Sequence, residues 1–350
     1  MLSLPILPSS ASQRVGPAVP GSSVRAAPRA VRLSITDRCD LACIYCRPHR
    51  HDGYLDSERR LDVDGWARLV EGLVRKGVTR LRVTGGEPLL HPDVVAIVAA
   101  VARIPGVEDV ALTTNATRLA ELAAPLRAAG LQRLNVSIDS LDADRFARLT
   151  RGGRLDRVLD GLDAAVRAGF TELKTNTVVV AASGDEPGND DELPALVRWA
   201  WSLGMTPRFL ELMTIGEGAK LVSRVVPYAT MRARLAGLLA ADPTVRPADR
   251  GPARYARSAD GSARRVGFIT GTSDTFCDGC DRLRATADGA LRPCLATNDQ
   301  VDVAAAIHAG DLEAIGDGLD RAWAQKPDGT SWKGCTEASA AGVNMRATGG

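Results

Sequence analysis

From residue 31 onward the chain alternates short apolar segments with segments of helical periodicity, and this alternation restricts its fold more than any other feature. The apolar segments are rich in β-branched residues, as strands buried in a parallel sheet are. Six of them predict strands, at residues 31–36, 80–84, 109–114, 133–138, 173–180 and 207–213.

Helices are predicted between these strands. In the segment 63–76 apolar residues recur every three or four positions, the spacing of one helix face, and Gly77 favours a helix end. Segments 155–166 and 190–203 repeat this pattern. Strand and helix alternating about six times predicts right-handed βαβ units, and hence an α/β protein whose parallel sheet is curved or closed as a barrel.

The two ends of the chain differ from this central part. Residues 1–30 contain three arginines, five prolines and no acidic residue, a composition that predicts disorder, with an organelle transit peptide as the alternative. Residues 241–260 are rich in proline, glycine and charge, which predicts a linker or an irregular crossing. We therefore expect an extension over 1–30, a barrel over 31–240 and a separate C-terminal region over 241–350.

Composition excludes several classes of protein. The net charge of +2 gives no indication of a nucleic-acid-binding protein. The longest uninterrupted apolar segment, residues 94–102, is far shorter than the roughly 20 residues that a membrane-spanning helix needs. Seven cysteines in 350 residues are too few for a disulfide scaffold, and their grouping predicts metal ligands in a reducing compartment, the cytoplasm.

The first cysteine group follows the first predicted strand directly. Cys39, Cys43 and Cys46 have the spacing Cys-x3-Cys-x2-Cys, and in parallel α/β proteins the loops at the carboxyl ends of strands build the active site. Three thiolates hold three irons of a [4Fe–4S] cluster and leave the fourth iron open to a ligand. Taken alone, the group also allows a zinc site completed by His49 or His51.

A second motif, Gly85-Gly86-Glu87-Pro88, follows the second predicted strand. Glycines allow close backbone approach, and carbonyl and carboxylate oxygens suit an ammonium group. Together with the cysteine spacing and Tyr45, this motif resembles the radical S-adenosylmethionine (SAM) superfamily. The resemblance implies that the open iron chelates the amino and carboxylate groups of SAM, and that the glycine motif contacts the SAM amino group.

The second cysteine group comprises Cys277, Cys280 and Cys294, and its spacing alone is also found in zinc ribbons. Its surroundings are Phe-Cys-Asp-Gly-Cys-Asp-Arg-Leu-Arg at 276–284 and Leu-Arg-Pro-Cys-Leu at 291–295. These segments resemble the auxiliary-cluster region of the GTP 3',8-cyclase family, and the resemblance covers nearly the whole chain after the extension. It implies a second [4Fe–4S] cluster whose open iron meets the guanine of GTP.

The resemblance also implies roles for individual positions. Family positions that contact GTP match Arg32, Arg82, Thr113, Lys174, Arg282 and Arg284. Family positions that contact SAM match Tyr45, Gly85, Gly86, Glu87, Ser137 and Met213. Catalysis is expected to involve the Arg-x-Arg motif beside the second cluster and the di-glycine tail, which are Arg282, Arg284, Gly349 and Gly350. The chemistry agrees, because a triphosphate needs several convergent cations and the planar fork of arginine suits phosphate.

The implied fold is a partial (β/α)6 TIM barrel of the radical SAM type, with a C-terminal auxiliary-cluster region that closes its open side. The implied reaction reduces SAM to methionine and a 5'-deoxyadenosyl radical, which removes hydrogen from C3' of GTP. C3' then joins C8 of guanine, and the product is 3',8-cyclo-7,8-dihydro-GTP, in the first step of molybdenum cofactor biosynthesis. An external electron donor is required, and assembly as a homodimer is left open.

Three residues depart from the family pattern: His91, Ala116 and Asp281 stand where arginine, glycine and asparagine are usual. Asp281 places an acid beside the expected guanine site, where it can repel phosphate or accept hydrogen bonds from guanine. A paralogous two-cluster enzyme acting on another nucleotide or a peptide therefore stays open. A non-enzymatic iron–sulfur or zinc module is a further alternative, and Cys335 has no assigned role.

Overall fold

A computed structural model describes residues 27–47, 53–245, 251–277, 280–327 and 345. Outside the described residues lie most of the predicted extension, His49, His51, Cys335 and Gly349-Gly350. Within the described ranges, no helix is both long enough and apolar enough to span a membrane.

The six predicted strands form the centre of one sheet, each pairing in parallel with the next. They are β1 (Ala30–Ser34), β2 (Arg80–Thr84), β3 (Asp109–Thr114), β4 (Arg133–Ser137), β5 (Glu172–Val179) and β6 (Thr206–Glu211). Their ends differ from the sequence prediction by at most two residues. The prediction of an α/β protein with a parallel sheet is therefore confirmed.

Five further strands extend this sheet: β7 (Arg254–Arg257), β8 (Arg265–Ile269), β9 (Arg282–Ala285), β10 (Ala290–Arg292) and β11 (Val301–Asp302). β9 lies parallel beside β1, and β8 lies parallel beside β6. The resulting order is β11-β10-β9-β1-β2-β3-β4-β5-β6-β8-β7, an open sheet with C-terminal strands at both edges. This arrangement confirms the expected partial barrel with its C-terminal closing region.

The segment that follows the barrel is more regular than its composition predicts. Residues 241–260 were expected to be a linker or an irregular crossing, but they contain β7. Tyr255 pairs with Gly267 and Ala256 with Val266 in an antiparallel ladder with β8. The expectation is therefore wrong for this strand, because pairing with a neighbouring strand overrides the weak local preference.

Nine α-helices are found in the described part of the chain: α1 (Val63–Arg75), α2 (Val94–Ala102), α3 (Leu119–Ala128), α4 (Ala143–Thr150), α5 (Leu155–Arg167), α6 (Leu193–Ser202), α7 (Tyr228–Arg234), α8 (Ala304–Ala309) and α9 (Leu312–Ala324). α1 begins after Asp62, whose carboxylate accepts a hydrogen bond from the Gly65 amide at 2.7 Å. The helix predicted from residue 190 begins at Leu193, where Pro194 occupies the first turn.

The sheet has an apolar outer face and a polar inner face, because side chains alternate along each strand. On the outer face, the strand residues buried in the main core include Val31, Leu33, Leu81, Val83, Leu112 and Leu134. The intervening positions, on the inner face, hold Arg32, Arg82, Thr113, Asn135 and Lys174. The helices therefore cover one face of the sheet, and polar chemistry is confined to the other.

Candidate active site

The first cysteine group lies in the loop that leaves β1, and Cys39, Cys43 and Cys46 are half-buried residues. The amide of Cys46 donates a hydrogen bond to the Cys43 carbonyl at 2.9 Å, which forms a tight turn. The amide of Ile44 donates to the Leu149 carbonyl at 3.0 Å, which ties the loop to α4. The backbone of the cysteine loop is therefore held in place by hydrogen bonds within the loop and to α4.

Gly85 and Gly86 hold the other side of this loop. The Gly86 amide donates to the Thr36 carbonyl and the Glu87 amide to the Arg38 carbonyl, both at 2.7 Å. A Cβ atom on Gly86 would lie 2.7 Å from the carbonyl carbon of Arg38, and one on Gly85 would lie 3.1 Å from the Thr36 nitrogen. Only glycine therefore allows the end of β2 to approach the cysteine loop this closely.

Glu87 joins the ends of β2 and β3. Its Oε1 atom accepts hydrogen bonds from the Leu89 amide at 2.9 Å and the Thr114 hydroxyl at 2.7 Å, and its Oε2 atom accepts from the Asn115 amide at 2.6 Å. Burial raises the pKa of this carboxyl to about 7. Both oxygens therefore bond to donors of the chain itself, and a contact between Glu87 and SAM stays a prediction.

Tyr45 connects the cysteine loop to β4 and β5 through Asp139. The Tyr45 hydroxyl donates to Asp139 Oδ2 at 2.6 Å, and Asp139 Oδ1 accepts from the Val178 amide at 2.9 Å. Burial raises the pKa of Asp139 to about 6. Ser137 ends β4 two residues earlier. Sequence reasoning missed Asp139, whose one signal was its place directly after a predicted strand.

The donor set of this first site fits a [4Fe–4S] cluster with an open iron, because it consists of three thiols in an accessible loop. Burial raises the pKa of Cys39 and Cys43, and the carboxyls of Glu87 and Asp139 add to the effect. A coordinating metal reverses this balance, because a ligated thiol loses its proton. Within the described residues, no three His, Cys, Asp or Glu side chains are placed to hold a single metal ion.

The second cysteine group is assembled by the hairpin of β9 and β10. Cys277 and Cys280 precede β9, and Cys294 follows β10, which is antiparallel to it. The Nε and Nη2 atoms of Arg282 lie 3.4 and 3.3 Å from Cys280 Sγ. Burial alone would raise the pKa of Cys280, but the cations Arg282 and Lys326 lower it to about 7. A thiol that ionises near neutral pH fits iron ligation.

The two cysteine groups lie at opposite ends of one pair of strands. β9 runs parallel beside β1, with Arg284 opposite Arg32. Cys280 precedes the amino end of β9, whereas Cys39 follows the carboxyl end of β1. β1 has five residues, and at roughly 3.3 Å per residue it spans about 17 Å. The space between the two groups is therefore long enough for a nucleotide.

A cavity of about 180 Å³ with a wide mouth open to solvent lies on the inner face of the sheet, with the second cysteine group in its wall. Its walls include every predicted GTP contact and all three second-group cysteines: Arg32, Arg82, Thr113, Lys174, Arg282, Arg284, Cys277, Cys280 and Cys294. Of the predicted SAM contacts, Met213 also lines the cavity. The remaining predicted SAM contacts lie at the carboxyl end of β4 or in the loops that follow β1 and β2, and they are Tyr45, Gly85, Gly86, Glu87 and Ser137.

Three arginines lie side by side on the cavity wall. The strand register places Arg284 opposite Arg32 and Arg32 opposite Arg82, and like charges directly opposite each other destabilise a sheet. Burial and neighbouring arginines lower the pKa of Arg82 to about 9 and that of Arg284 to about 10, and they also lower the pKa of Arg32. A bound polyanion would relieve this repulsion.

Sequence reasoning missed other polar residues of the cavity. Buried Arg208, on β6, donates a hydrogen bond to Asn135 Oδ1. Asn176 Oδ1 is buried and has no hydrogen-bond partner among the described residues. The available signal was that Arg208 and Asn176 occupy inward positions of predicted strands, but single residues of these types are common in strands. Lys174, which the sequence analysis did identify, lies beside them, and burial together with Arg208 and Arg133 lowers its pKa to about 7.

The three departures from the family pattern have local explanations. Asp281 forms an ion pair with Arg80, so its carboxylate is neutralised at the cavity wall. Ala116 has a φ of +63°, a conformation that favours the usual glycine. His91 accepts a hydrogen bond at Nδ1 from the Asp93 amide at 3.1 Å, and it is not among the described residues that line the cavity.

Residue 345 is the one described position close to the predicted tail. Met345 packs against a small apolar cluster that contains Leu295 and is also contacted by Met213. Both Leu295 and Met213 line the cavity. The approach of Gly349 and Gly350 to the site stays a prediction, because they lie outside the described residues.

Comparisons with known proteins agree with this geometry. The Radical SAM superfamily matches residues 33–199, and the family Molybdenum Cofactor Synthesis C matches residues 205–332. The structure of SuiB from Streptococcus suis bound to S-adenosylmethionine has a TM-score of 0.60 at 16% identity. The match covers 86% of this chain and 66% of SuiB, and it shows the fold. Fold and cysteine sites together define a radical SAM enzyme.

Relatives with higher sequence identity identify the family within this class of enzymes. A GTP 3',8-cyclase of Heliobacterium modesticaldum is 41% identical over 284 residues, which is 80% of this chain and 84% of that protein. GTP 3',8-cyclase 1 of Pseudomonas aeruginosa is 39% identical over 302 residues, 83% of this chain and 88% of that protein. The chain belongs to the GTP 3',8-cyclase family, and its cofactors are SAM and [4Fe–4S] clusters.

The contact between Gly86 and the cysteine loop makes a direct prediction. Gly86→Ala places a methyl group against the Arg38 backbone and is expected to displace the loop. Iron bound at the first site should fall by at least half and SAM cleavage should be lost, while second-site iron is retained. Iron analysis of anaerobically reconstituted protein measures this. Gly237→Ala is the control, because a Cβ there meets no atom within 4 Å. Wild-type iron and SAM cleavage in Gly86→Ala would contradict the assignment.

Proposed function

We propose that this protein converts GTP to 3',8-cyclo-7,8-dihydro-GTP, the GTP 3',8-cyclase reaction of molybdenum cofactor biosynthesis. The observation that carries the proposal is the row formed by Arg284, Arg32 and Arg82 between the two cysteine groups. GTP bound along this row would have its phosphates beside Arg32 and Arg82 and its base toward Arg284, on the side of the second cysteine group. GTP combines the required triphosphate with a base that extends away from it.

The first site is proposed to hold SAM on the cluster bound by Cys39, Cys43 and Cys46. When bound, the cluster and SAM supply the carbon radical that removes a hydrogen atom from the substrate. The chain itself holds this site rigid through Glu87 and the bond between Tyr45 and Asp139. The residues proposed to surround SAM are Tyr45, Gly85, Gly86, Glu87, Ser137 and Met213.

The cavity is proposed to hold GTP with its base toward the second cysteine group. Arg282 and Arg284 fit the guanine end, because Arg282 contacts Cys280 and Arg284 interacts electrostatically with Cys294. Arg32, Arg82 and Lys174, with the hydroxyl of Thr113, then face the ribose and phosphates. Fixed cations orient the ribose toward the first site and lower the entropic cost of bringing the reacting atoms together. Gly349 and Gly350 are proposed to complete this site.

The argument for a paralogous enzyme with another substrate depends mainly on Asp281, and the ion pair between Asp281 and Arg80 weakens that argument. A carboxylate already paired with an arginine neither repels phosphate as a free charge would nor favours adenine over guanine. An external electron donor, a homodimer and a cytoplasmic location stay predictions from the sequence.

The proposed reaction is tested by incubating reconstituted protein anaerobically with SAM, a strong reductant and either GTP or ATP. GTP is expected to yield 3',8-cyclo-7,8-dihydro-GTP, identified by mass spectrometry, together with 5'-deoxyadenosine in equal amount. ATP should give no cyclised nucleotide. A Cys39→Ala variant is the control for chemistry that does not depend on the first cluster. Cyclisation of ATP, or SAM cleavage without any GTP product, would favour the paralogous enzyme instead.

Asp281 offers a second test at the base and phosphate sites. Asp281→Asn removes the ion pair and leaves Arg80 free to bind an anion, so GTP affinity is expected to rise by about tenfold to a hundredfold, the effect of one additional charged hydrogen bond. ATP affinity should rise by the same factor, because the phosphates are identical. Equilibrium binding of both nucleotides to the reconstituted protein measures this. A loss of affinity confined to GTP would show instead that Asp281 accepts hydrogen bonds from guanine.

Lys174 makes GTP binding depend on pH. Its pKa in the free protein is lowered to about 7, and bound phosphate would raise it. Below pH 7 the ammonium is already charged and affinity is constant. Above pH 7 binding must add a proton, so GTP affinity falls by up to about tenfold per pH unit until the pKa of the complex is reached.

The measurement is the GTP dissociation constant of reconstituted protein at pH 7.0, 8.0 and 8.5. Lys174→Met should bind GTP more weakly at pH 7 and lose most of this pH dependence. Lys220→Met is the matched control, because Lys220 is exposed and outside the cavity. Parallel pH profiles for wild type and Lys174→Met would exclude Lys174 as the group responsible.

A further inference from the structure

The ammonium group of Lys326 lies between the two segments that carry the second cysteine group. Its Nζ atom donates hydrogen bonds to the Arg282 carbonyl at 2.7 Å and to the Pro293 carbonyl at 2.8 Å. Arg282 comes two residues after Cys280, and Pro293 comes directly before Cys294. One side chain therefore bridges the first residue of β9 and the segment after β10.

A third contact completes the environment of this ammonium group. Lys326 also makes a side-chain hydrogen bond with Cys280. An ammonium group has three donors and no acceptor, and here the three are matched by two carbonyls and one thiol sulfur. Lys326 also lines the substrate cavity, so its charge lies at the boundary between the cysteines and the substrate.

The backbone that carries Lys326 is anchored to the barrel. Lys326 follows α9 and its amide donates to the Trp323 carbonyl at 3.0 Å. α9 packs closely on α1, where a Cβ atom on Gly72 would lie 2.7 Å from Ile315 Cβ. Lys326 is therefore held by an element that is itself fixed to the barrel.

We infer that Lys326 is a positioning residue of the second cluster: it holds the two cysteine-bearing segments in register and places a fixed positive charge beside the cluster. The inference rests on the second cluster of the proposed function. Hydrogen bonds and charge near the sulfurs set the reduction potential of an iron–sulfur cluster. A cation at this position favours the reduced, more negative cluster and raises its potential.

The test uses full-length protein in which Cys39→Ala, Cys43→Ala and Cys46→Ala together remove the first cluster, so that only the second cluster is measured. Each Lys variant is made in this background and compared with the background itself. Lys326→Met preserves the length and apolar stem of the side chain but removes the charge and all three donors. Release of second-site iron to a chelator is expected to become at least about tenfold faster, the effect of losing one hydrogen bond to a charged group. The midpoint potential of the cluster, followed by electron paramagnetic resonance during redox titration, is expected to fall.

Lys76→Met is the matched control, because it removes a lysine that joins α1 and α9 away from the cysteines. It should leave both the iron-release rate and the potential at their wild-type values. Unchanged release and potential in Lys326→Met, or equal changes in Lys76→Met, would overturn the inference. Should circular dichroism show that Lys326→Met is unfolded, Lys326→Gln, which keeps an amide donor but loses the charge, is judged by the same two criteria.

These measurements are independent of the nucleotide. If wild-type protein fails to cyclise GTP, the proposed function fails, yet iron release and potential still decide the role of Lys326. If wild-type protein cyclises GTP but Lys326→Met changes neither the iron-release rate nor the midpoint potential of the second cluster, the proposed function stands and the inference about Lys326 fails.

Discussion

Repulsion among cations on the inner face of the sheet is the constraint on which the site depends. The register of β9, β1 and β2 places Arg284, Arg32 and Arg82 directly opposite one another, an arrangement that costs stability in a sheet. Arg208 and Lys174 add further positive charge to the same cavity. The apolar outer face and its helices must supply the stability that the inner face loses. A polyanionic substrate recovers part of that cost on binding.

The same sheet sets the distance between the two chemical centres. Because β9 adds to β1 in parallel, the cysteines before β9 and those after β1 are separated by the length of one strand. At the other edge, β8 adds to β6 and brings Ile269 and Gly271 to the same cavity. The C-terminal region therefore encloses the substrate by extending the barrel's own sheet at both edges.

The fold and both cysteine groups could be predicted from the sequence because local patterns determine them. Short apolar segments defined the six central strands, and the cysteine spacing appears within the two loops themselves. Arg208 and Lys326 could not be predicted in this way, because their roles depend on strand register and on where α9 ends. Asp281 was interpreted as a free acid, because its partner Arg80 lies on a distant part of the chain.

The electrostatic difference between the two cysteine groups explains how one enzyme keeps two charged ligands apart. Burial raises the pKa of Cys39 and Cys43 in the first group and Glu87 and Asp139 add to this effect, whereas Arg282 and Lys326 lower the pKa of Cys280 in the second. SAM carries a sulfonium and an ammonium group and so suits the acidic end of the barrel. GTP carries phosphates and suits the cationic inner face. In the proposed arrangement each ligand lies where the surrounding charge complements its own, and the same field would oppose an exchange of the two positions.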